Sequence, residues 1–90
     1  MLRAEIELTV NPKKMSEVLD VLYEDKMNAM KAVDIFNEFN IIQNNNKIDI
    51  IVECDSMEKL SEHMRNMHYR WQDLKTSGAI IKQKHNFINI

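Results

Sequence analysis

Residues 2–10 alternate strictly between apolar and polar side chains. The apolar members share one parity, and they are Leu2, Ala4, Ile6, Leu8 and Val10. A strand places every second side chain on the same face, so this period of two predicts a strand with one buried face. That face has to be covered by another layer of secondary structure, which the rest of the chain must supply.

Two helices are predicted to supply the cover. Asn11-Pro12 has the form of an N-cap followed by proline at the first helical position, and the helix is expected to fade near Asp25 to Asn28. The second helix begins at a capping box, Asp55-Ser56-Met57-Glu58, with Asp55 as the N-cap. Its apolar seam recurs every three or four residues and comprises Met57, Leu60, Met64, Met67, Trp71 and Leu74. Gly78 ends it, because glycine adopts the left-handed C-cap conformation without strain.

A second strand is predicted from about Lys31 to Gln43. Its inward parity comprises Val33, Ile35, Phe39 and Ile41. Phe36 and Ile42 break this parity and are expected on the opposite face of the sheet.

A hairpin turn at asparagines 44–46 leads to the third strand, because asparagine tolerates left-handed backbone. This strand runs from Lys47 to Cys54, with Ile51 on its outer face. The order β-α-β-β-α predicts an α+β fold: a small antiparallel three-stranded sheet with a possible fourth strand, covered on one face by two helices. Residues 1–78 then form one domain, and residues 79–90 are either an extra strand or a C-terminal tail.

Composition excludes several classes of function. The net charge is −2, whereas a dedicated nucleic-acid binder is normally basic. The longest apolar run is Ile50-Ile51-Val52, far short of a membrane span, so no membrane partner is expected. The first residues lack the apolar stretch of a signal peptide, and we expect a cytoplasmic protein. With one glycine in the chain, a glycine-rich phosphate loop is excluded as well.

No pattern of reactive side chains indicates catalysis. His63 and His68 are five residues apart on the second helix, so they do not share a face as a metal-binding pair would. Cys54 has inward parity and is expected to be a small buried hydrophobe. Most acidic residues fall on solvated faces. We therefore expect no enzyme, no catalytic residue, no metal and no cofactor.

Two groups of residues are candidates for partner binding. Asn66, Tyr69 and Arg70 cluster beside Trp71 on the second helix, and protein interfaces are enriched in aromatic residues and arginine. Phe36, Ile42 and Ile51 are apolar residues expected on the outer face of the sheet, which suggests a buried contact there. The sequence taken alone predicts a small α+β interaction module.

One stretch resembles a known family. The segment from Ile48 to Asp55, followed by Leu60, Asn66 and Tyr69-Arg70-Trp71, is similar to the Pcc family, the smallest subunits of the KEOPS complex of archaea and eukaryotes. The likeness runs from about Ile6 to Leu74 and includes the order and spacing of the elements.

The resemblance implies a role in tRNA processing. KEOPS performs the threonylcarbamoyladenosine modification of tRNA, and its chemistry belongs to a larger ASKHA-fold subunit. Pcc subunits are non-catalytic; they pair through their sheets, and their helices pack against the catalytic subunit. Ser61 and Met67 stand where the family has arginine and serine, which suggests a divergent Pcc-like paralogue that pairs with the main Pcc subunit and caps the dimer. The partners implied are a Pcc-type subunit or a second copy of this chain, the catalytic subunit, and tRNA only within the complex.

Two alternatives stay open. A β-α-β-β-α-β chain also describes the ferredoxin-like regulatory domains of the ACT and Lrp type, which dimerise and bind small molecules such as amino acids. That alternative requires the tail to be a true fourth strand. A tRNA-contacting module would use Arg65, Arg70, His63 and Tyr69, although a net charge of −2 does not favour strong binding of RNA.

Overall fold

Four strands and two helices follow one another in the order β-α-β-β-α-β. The computed structural model describes residues 1–31 and 36–89. The elements are β1 (Leu2–Val10), α1 (Met15–Lys31), β2 (Phe36–Asn44), β3 (Lys47–Cys54), α2 (Met57–Thr76) and β4 (Ile80–Asn89), with a 3-10 turn at Pro12–Lys14 before α1. The α+β prediction is confirmed, and residues 80–89 are a fourth strand rather than a loose tail.

The strands form one antiparallel sheet in the order β2-β3-β1-β4. This is the ferredoxin-like arrangement, with β1 and β3 at the centre and β2 and β4 at the edges. In the register, Ile6 of β1 lies opposite Ile50 of β3 on one side and His85 of β4 on the other. Both helices cover the same face of the sheet. The other face, called the open face below, carries the alternate residues of every strand.

The core lies between the sheet and the helices. Its strand residues are those predicted from alternation, Ala4, Ile6, Leu8 and Val10 in β1 and Ile48, Ile50, Val52 and Cys54 in β3. Helix α1 contributes Val18 and Leu22, and α2 contributes its seam from Leu60 to Leu74. Met57 is exposed and lies outside this seam. Burying one face of each element is the main favourable term that stabilises a chain of this size.

A bulge near the start of β2 changes one predicted position. Phe36 lies opposite Cys54 while Glu38 lies opposite Glu53, so one extra residue is inserted between them. An extra residue reverses the parity of the side chains before it. Phe36 therefore lies on the helix-covered face, and its predicted place on the open face is wrong. Residues 33 and 35, which were expected to face inward, lie outside the described residues.

The helix ends differ from the predictions by a residue or a turn. Asn11 accepts the Lys13 N–H at 3.1 Å, as expected of an N-cap, but α1 continues to Lys31 instead of fading near Asp25 to Asn28. The N-cap of α2 is Ser56, whose hydroxyl accepts the Lys59 N–H at 3.4 Å. The predicted cap, Asp55, instead accepts a hydrogen bond from the Asn37 side chain.

Gly78 ends α2 as predicted. Its φ is +79°, a left-handed conformation that costs glycine little. The Gly78 and Ala79 N–H groups donate to the carbonyl oxygens of Lys75 and Leu74 at 3.1 and 2.9 Å. These two bonds satisfy the last turn of the helix and turn the chain directly into β4.

Candidate functional site

Within the described part of the fold, Asp25 is the one charged side chain that is buried. It follows Val18 and Leu22 on the inward stripe of α1, and it is 2% exposed. A buried carboxylate is costly unless hydrogen bonds or an opposite charge compensate it. The partners of Asp25 therefore identify the most unusual polar site of the molecule.

Two neighbouring residues of α2 bind Asp25. The indole N–H of Trp71 donates to one carboxylate oxygen at 3.0 Å, and an Arg70 guanidinium nitrogen lies 2.6 Å from the other. The second terminal nitrogen of Arg70 lies 3.2 Å from Glu24. A buried tryptophan normally needs an acceptor for its N–H, and Asp25 provides it. The contacts of Asp25 with Trp71 and Arg70 therefore connect α1 to α2 at the edge of the core.

The charge state of Asp25 depends on these partners. Burial raises the pKa of Asp25 above its ordinary value, while the Trp71 hydrogen bond and the positive charge of Arg70 lower it and the nearby Glu24 adds to the rise. Titratable groups with opposing influences of this kind are concentrated at functional sites, although structural networks also produce them. The opposing influences on the pKa of Asp25 therefore do not by themselves mark a functional site.

A cleft lies beside the Asp25 carboxylate. A cavity of about 390 Å³ opens between the C-terminal half of α1, the start of β2 and one side of α2. Asp25 and Arg70 lie in its wall with Asn28, His63, Asn66 and Met67. The volume falls in the range of roughly 300–1,000 Å³ that is typical of small-molecule sites. We call this space the α1–α2 cleft.

His63 faces the cleft from α2. Its ring lies 4.6 Å from the Phe36 ring and 5.6 Å from the Phe39 ring, both in edge-to-face geometry. Burial lowers the pKa of His63 to about 4, so the imidazole is neutral at physiological pH. A neutral imidazole has one donor nitrogen and one acceptor nitrogen, and Nε2 of His63 is buried without a hydrogen-bond partner within the described residues.

The four helical residues predicted to bind a partner lie in four different settings. Trp71 is fully buried and belongs to the core, as its place in the apolar seam predicts, and its part in partner binding stays a prediction. Arg70 forms ion pairs with Asp25 and Glu24, and Asn66 is exposed at the rim of the cleft. Tyr69 is 81% exposed and points away from the core.

On the sheet, Ile42 and Ile51 lie on the open face as expected. Ile42 pairs with Asp49 and is half exposed, and Ile51 pairs with Glu5 in the middle of the face. Charges of both signs surround them. On the two central strands Arg3 pairs with Glu5 and Glu53, and Lys47 pairs with Glu7. Asp49 lies on the same face, and the edge strand β4 carries Lys82 and Lys84. A shallow depression of about 420 Å³ runs across this face.

The sequence prediction missed Asp25 as a site residue. The signal was present in α1, where Asp25 continues the spacing of the apolar residues Val18 and Leu22 and precedes Ala29 by one turn. An acidic residue on an apolar stripe requires a partner, and Trp71 on the seam of the other helix requires an acceptor.

A second group of rings lies between α2 and β4. His68 stacks on His85 with 5.0 Å between ring centroids, and Phe87 follows at 6.4 Å from His85. Burial lowers the pKa of both histidines, and for His85 the charges of His68 and Lys75 lower it further. Residues 1–31 and 36–89 contain no group of three or more histidine, cysteine or acidic side chains arranged to hold a metal ion.

Comparison with known proteins identifies neighbours by structure and none by sequence. No protein-family model matches the chain, and no curated protein matches it. A conserved protein from Methanosarcina mazei has a TM-score of 0.80 at 17% identity, covering 98% of this chain and 90% of that one. A protein from Nitrosomonas europaea, provisionally described as an antibiotic biosynthesis monooxygenase, has a TM-score of 0.84 at 10% identity, with 100% and 98% covered. A similarly described protein from Deinococcus radiodurans has a TM-score of 0.83 at 12% identity, with 100% and 92% covered.

The likeness establishes the fold. It also corrects the expectation that the chain is not an enzyme, because the same ferredoxin-like domain occurs in proteins described as monooxygenases. Catalytic groups can also come from separate elements that meet only in the fold, and such groups leave no local motif in the sequence. No helix of the described part is long and apolar enough to cross a membrane.

Proposed function

We propose that this chain is a ferredoxin-like domain that binds a small molecule in the α1–α2 cleft and works as a homodimer. The observation that carries the proposal is the cleft itself, with the Asp25–Arg70–Trp71 network built into its wall. This network fixes the positions of both helices that form the cleft. A pocket with a few fixed polar groups and a perturbed titratable residue is the usual form of a small-molecule site.

Occupancy of the cleft can be mapped by NMR. Isotope-labelled protein is titrated with a set of small neutral, anionic and cationic organic molecules while its amide signals are followed. We expect saturable shifts at Ala29, His63, Asn66 and Met67. The open-face residue Lys84 is expected to stay unchanged.

Two variants in α2 test the site, one in the cleft and one outside it as the control. Asn66→Ala removes a polar side chain from the cleft and is expected to weaken binding about fivefold, the effect of one lost hydrogen bond. Gln72→Ala changes an exposed residue further along the same helix and is expected to leave binding unchanged. Shifts confined to the open face, or no saturable shift with any molecule, would contradict the proposal.

A second candidate function is monooxygenation, since several structural neighbours carry that description. A monooxygenase transfers one oxygen atom of O₂ to its substrate and reduces the other to water. The reaction balances without a further reductant when the substrate supplies the electrons and one of its CH₂ groups becomes a carbonyl (CH₂ + O₂ → C=O + H₂O), so turnover consumes O₂. Molecules that occupy the cleft are incubated with the protein in an oxygen electrode, and the product is analysed for isotopically labelled oxygen. We expect O₂ uptake that slows in Asn66→Ala. If O₂ uptake is no faster than in buffer while a ligand is bound, monooxygenation is contradicted and the proposed binding function is not.

The homodimer is proposed to form through the open face of the sheet. A second copy fits this face because Asp49 of β3 and Lys82 and Lys84 of β4 form no ion pair within the described residues, so the two signs are complementary between copies. Apolar Ile42 and Ile51 lie on the same face and gain burial from such a contact. In a two-fold dimer each of these residues lies in the interface twice, once from each copy, so its contribution to the dimer's stability counts twice.

The resemblance to the Pcc family stays a prediction, and it proposes a different partner for the same face. A Pcc-like subunit would pair its sheet with a Pcc subunit instead of a second copy of itself. Mixing the two chains and measuring the mass of the complex separates these alternatives.

A further inference from the structure

The second half of β4 has little cover from the helices. Of the ten residues of this strand, only Ile80 at its start is buried. His85 and Phe87 lie opposite Ile6 and Ala4 of β1, so both side chains are on the helix-covered face of the sheet. His85 is nevertheless only partly buried, and Phe87 is 53% exposed. How firmly this half of β4 is attached to the fold therefore depends on the contacts of these two rings.

His68 of α2 supplies the contact with His85. The two imidazoles stack with 5.0 Å between their centroids and 22° between their planes. On one side of this pair, His68 lies edge-to-face against the buried Trp71, with 6.2 Å between the ring centroids. On the other side, Phe87 stacks on His85 at 6.4 Å. The row of rings thus connects the core to the second half of β4, and its central link consists of two titratable groups.

The charges near the two imidazoles are positive. Among the described residues, no acidic side chain forms an ion pair with either ring. Burial is the main cause that lowers the pKa of both histidines below the ordinary value of 6.5, and the positive charge of Lys75 on α2 lowers both further. Arg65 precedes His68 by three residues on the same helix, and Gln83, which contacts His85 on β4, is uncharged.

Acid therefore acts against this contact. At neutral pH both rings are uncharged and can stack. Protonation of both places two like charges on rings 5.0 Å apart, without a carboxylate to compensate them. Because the pKa values of the folded state are lower than that of an unfolded histidine, the contribution of the pair to stability is complete above pH 6.5. It is lost as the pH falls through the folded values.

We propose that the His68–His85 stack is an acid-sensitive contact, which attaches the second half of β4 to α2 at neutral pH and releases it when both imidazoles are protonated. The backbone pairing of β4 with β1 remains, so residues 85–89 loosen while the sheet stays folded. Neither ring lies in the wall of the α1–α2 cleft, so this response is separate from the binding of a small molecule there.

Hydrogen exchange measured by NMR between pH 7.5 and pH 5 tests the release. The ring signals of the histidines report their protonation in the same samples. We expect the protection of the amides of residues 85–89 to fall about tenfold relative to that of the β3 amides as both rings titrate. This is the effect expected of two like charges at this distance. The range ends above the pKa of about 4 to which burial lowers His63, so His63 stays neutral throughout.

Two variants each remove one charge and keep a ring for stacking. His68→Phe is expected to retain the protection of residues 85–89 at pH 5 and to raise the pKa of His85, which the charge of His68 lowers in the unmodified chain. His85→Phe should abolish the loss of protection as well. Tyr69→Phe changes the exposed neighbour of His68 and should respond to acid as the unmodified chain does. Asp25, whose pKa burial raises, is present in all these chains, so its titration cancels in the comparison.

Three results would overturn the acid-sensitive contact. The first is a loss of protection that is as large in His68→Phe and His85→Phe as in the unmodified chain. The second is full protection of residues 85–89 with both rings protonated. The third is an unmodified chain in which either ring stays neutral at pH 5.

Discussion

Replacing Arg70 by methionine is expected to lower the free energy of unfolding by about 3 kcal/mol at neutral pH. Methionine keeps most of the length of the side chain but leaves the buried Asp25 without its cation. Only the Trp71 N–H then remains to compensate the carboxylate, which is 2% exposed. Chemical denaturation followed by circular dichroism measures the change.

The loss should depend on pH in a defined direction. Burial raises the pKa of folded Asp25 above 3.8, so folding favours the protonated carboxyl. This contribution to stability is complete below the unfolded pKa and is lost as pH rises through the folded pKa. Arg70 lowers the folded pKa, and removing it raises that pKa further and extends the sensitive window upward. The variant and the unmodified chain should therefore differ most near neutrality and converge towards pH 4.

Asp25→Asn is the matched control. The amide keeps the shape of the carboxylate and still accepts the Trp71 N–H, while Arg70 is one-third exposed and keeps Glu24. This variant should therefore lose less stability than Arg70→Met. In the double variant no buried charge remains, and its stability at pH 7 should exceed that of Arg70→Met. A loss that is equal at pH 4 and pH 7 would show that the Asp25 carboxylate does not depend on Arg70.

The sequence could predict those elements whose apolar residues recur with one regular spacing. Alternation in β1 and β3 and the three-to-four spacing of α2 assign most of the core without reference to any other element. The fourth strand is different, because its exposed residues Ile81 and Phe87 interrupt any clear alternation. Its pairing with β1 depends on the Gly78 turn, and this tertiary effect leaves little trace in the strand itself.

The predictions fail at two positions where the chain has two possible local conformations and a single residue determines which one forms. The bulge after Phe36 reverses one side chain, and the hydrogen bond from Asn37 to Asp55 transfers the helix cap to Ser56. Both depend on contacts between segments far apart in sequence. The cleft was beyond prediction for the same reason, since Asp25 and Arg70 approach each other only when α1 and α2 pack side by side.

Replacing Ile51 by glutamate is expected to weaken the proposed homodimer by roughly 100-fold or more. Ile51 lies in the middle of the open face, paired with Glu5 of β1 and Asn40 of β2. In a two-fold dimer its burial is lost twice, at about 1.5 kcal/mol or more each, and a factor of 100 requires about 2.7 kcal/mol. The new carboxylate also lies directly opposite Glu5 and on the same face as Asp49, which adds repulsion.

Size-exclusion chromatography with light scattering over a range of concentrations measures the effect. Tyr69→Glu is the control, because it places the same charge on a fully solvated position of α2, away from the sheet. It should leave the dimer intact, whereas Ile51→Glu should give a folded monomer with unchanged circular dichroism. An unmodified chain that is monomeric would contradict the homodimer. If that monomer forms a one-to-one complex with a Pcc subunit, and Ile51→Glu abolishes the complex, the open face pairs with a Pcc partner instead of a second copy of this chain.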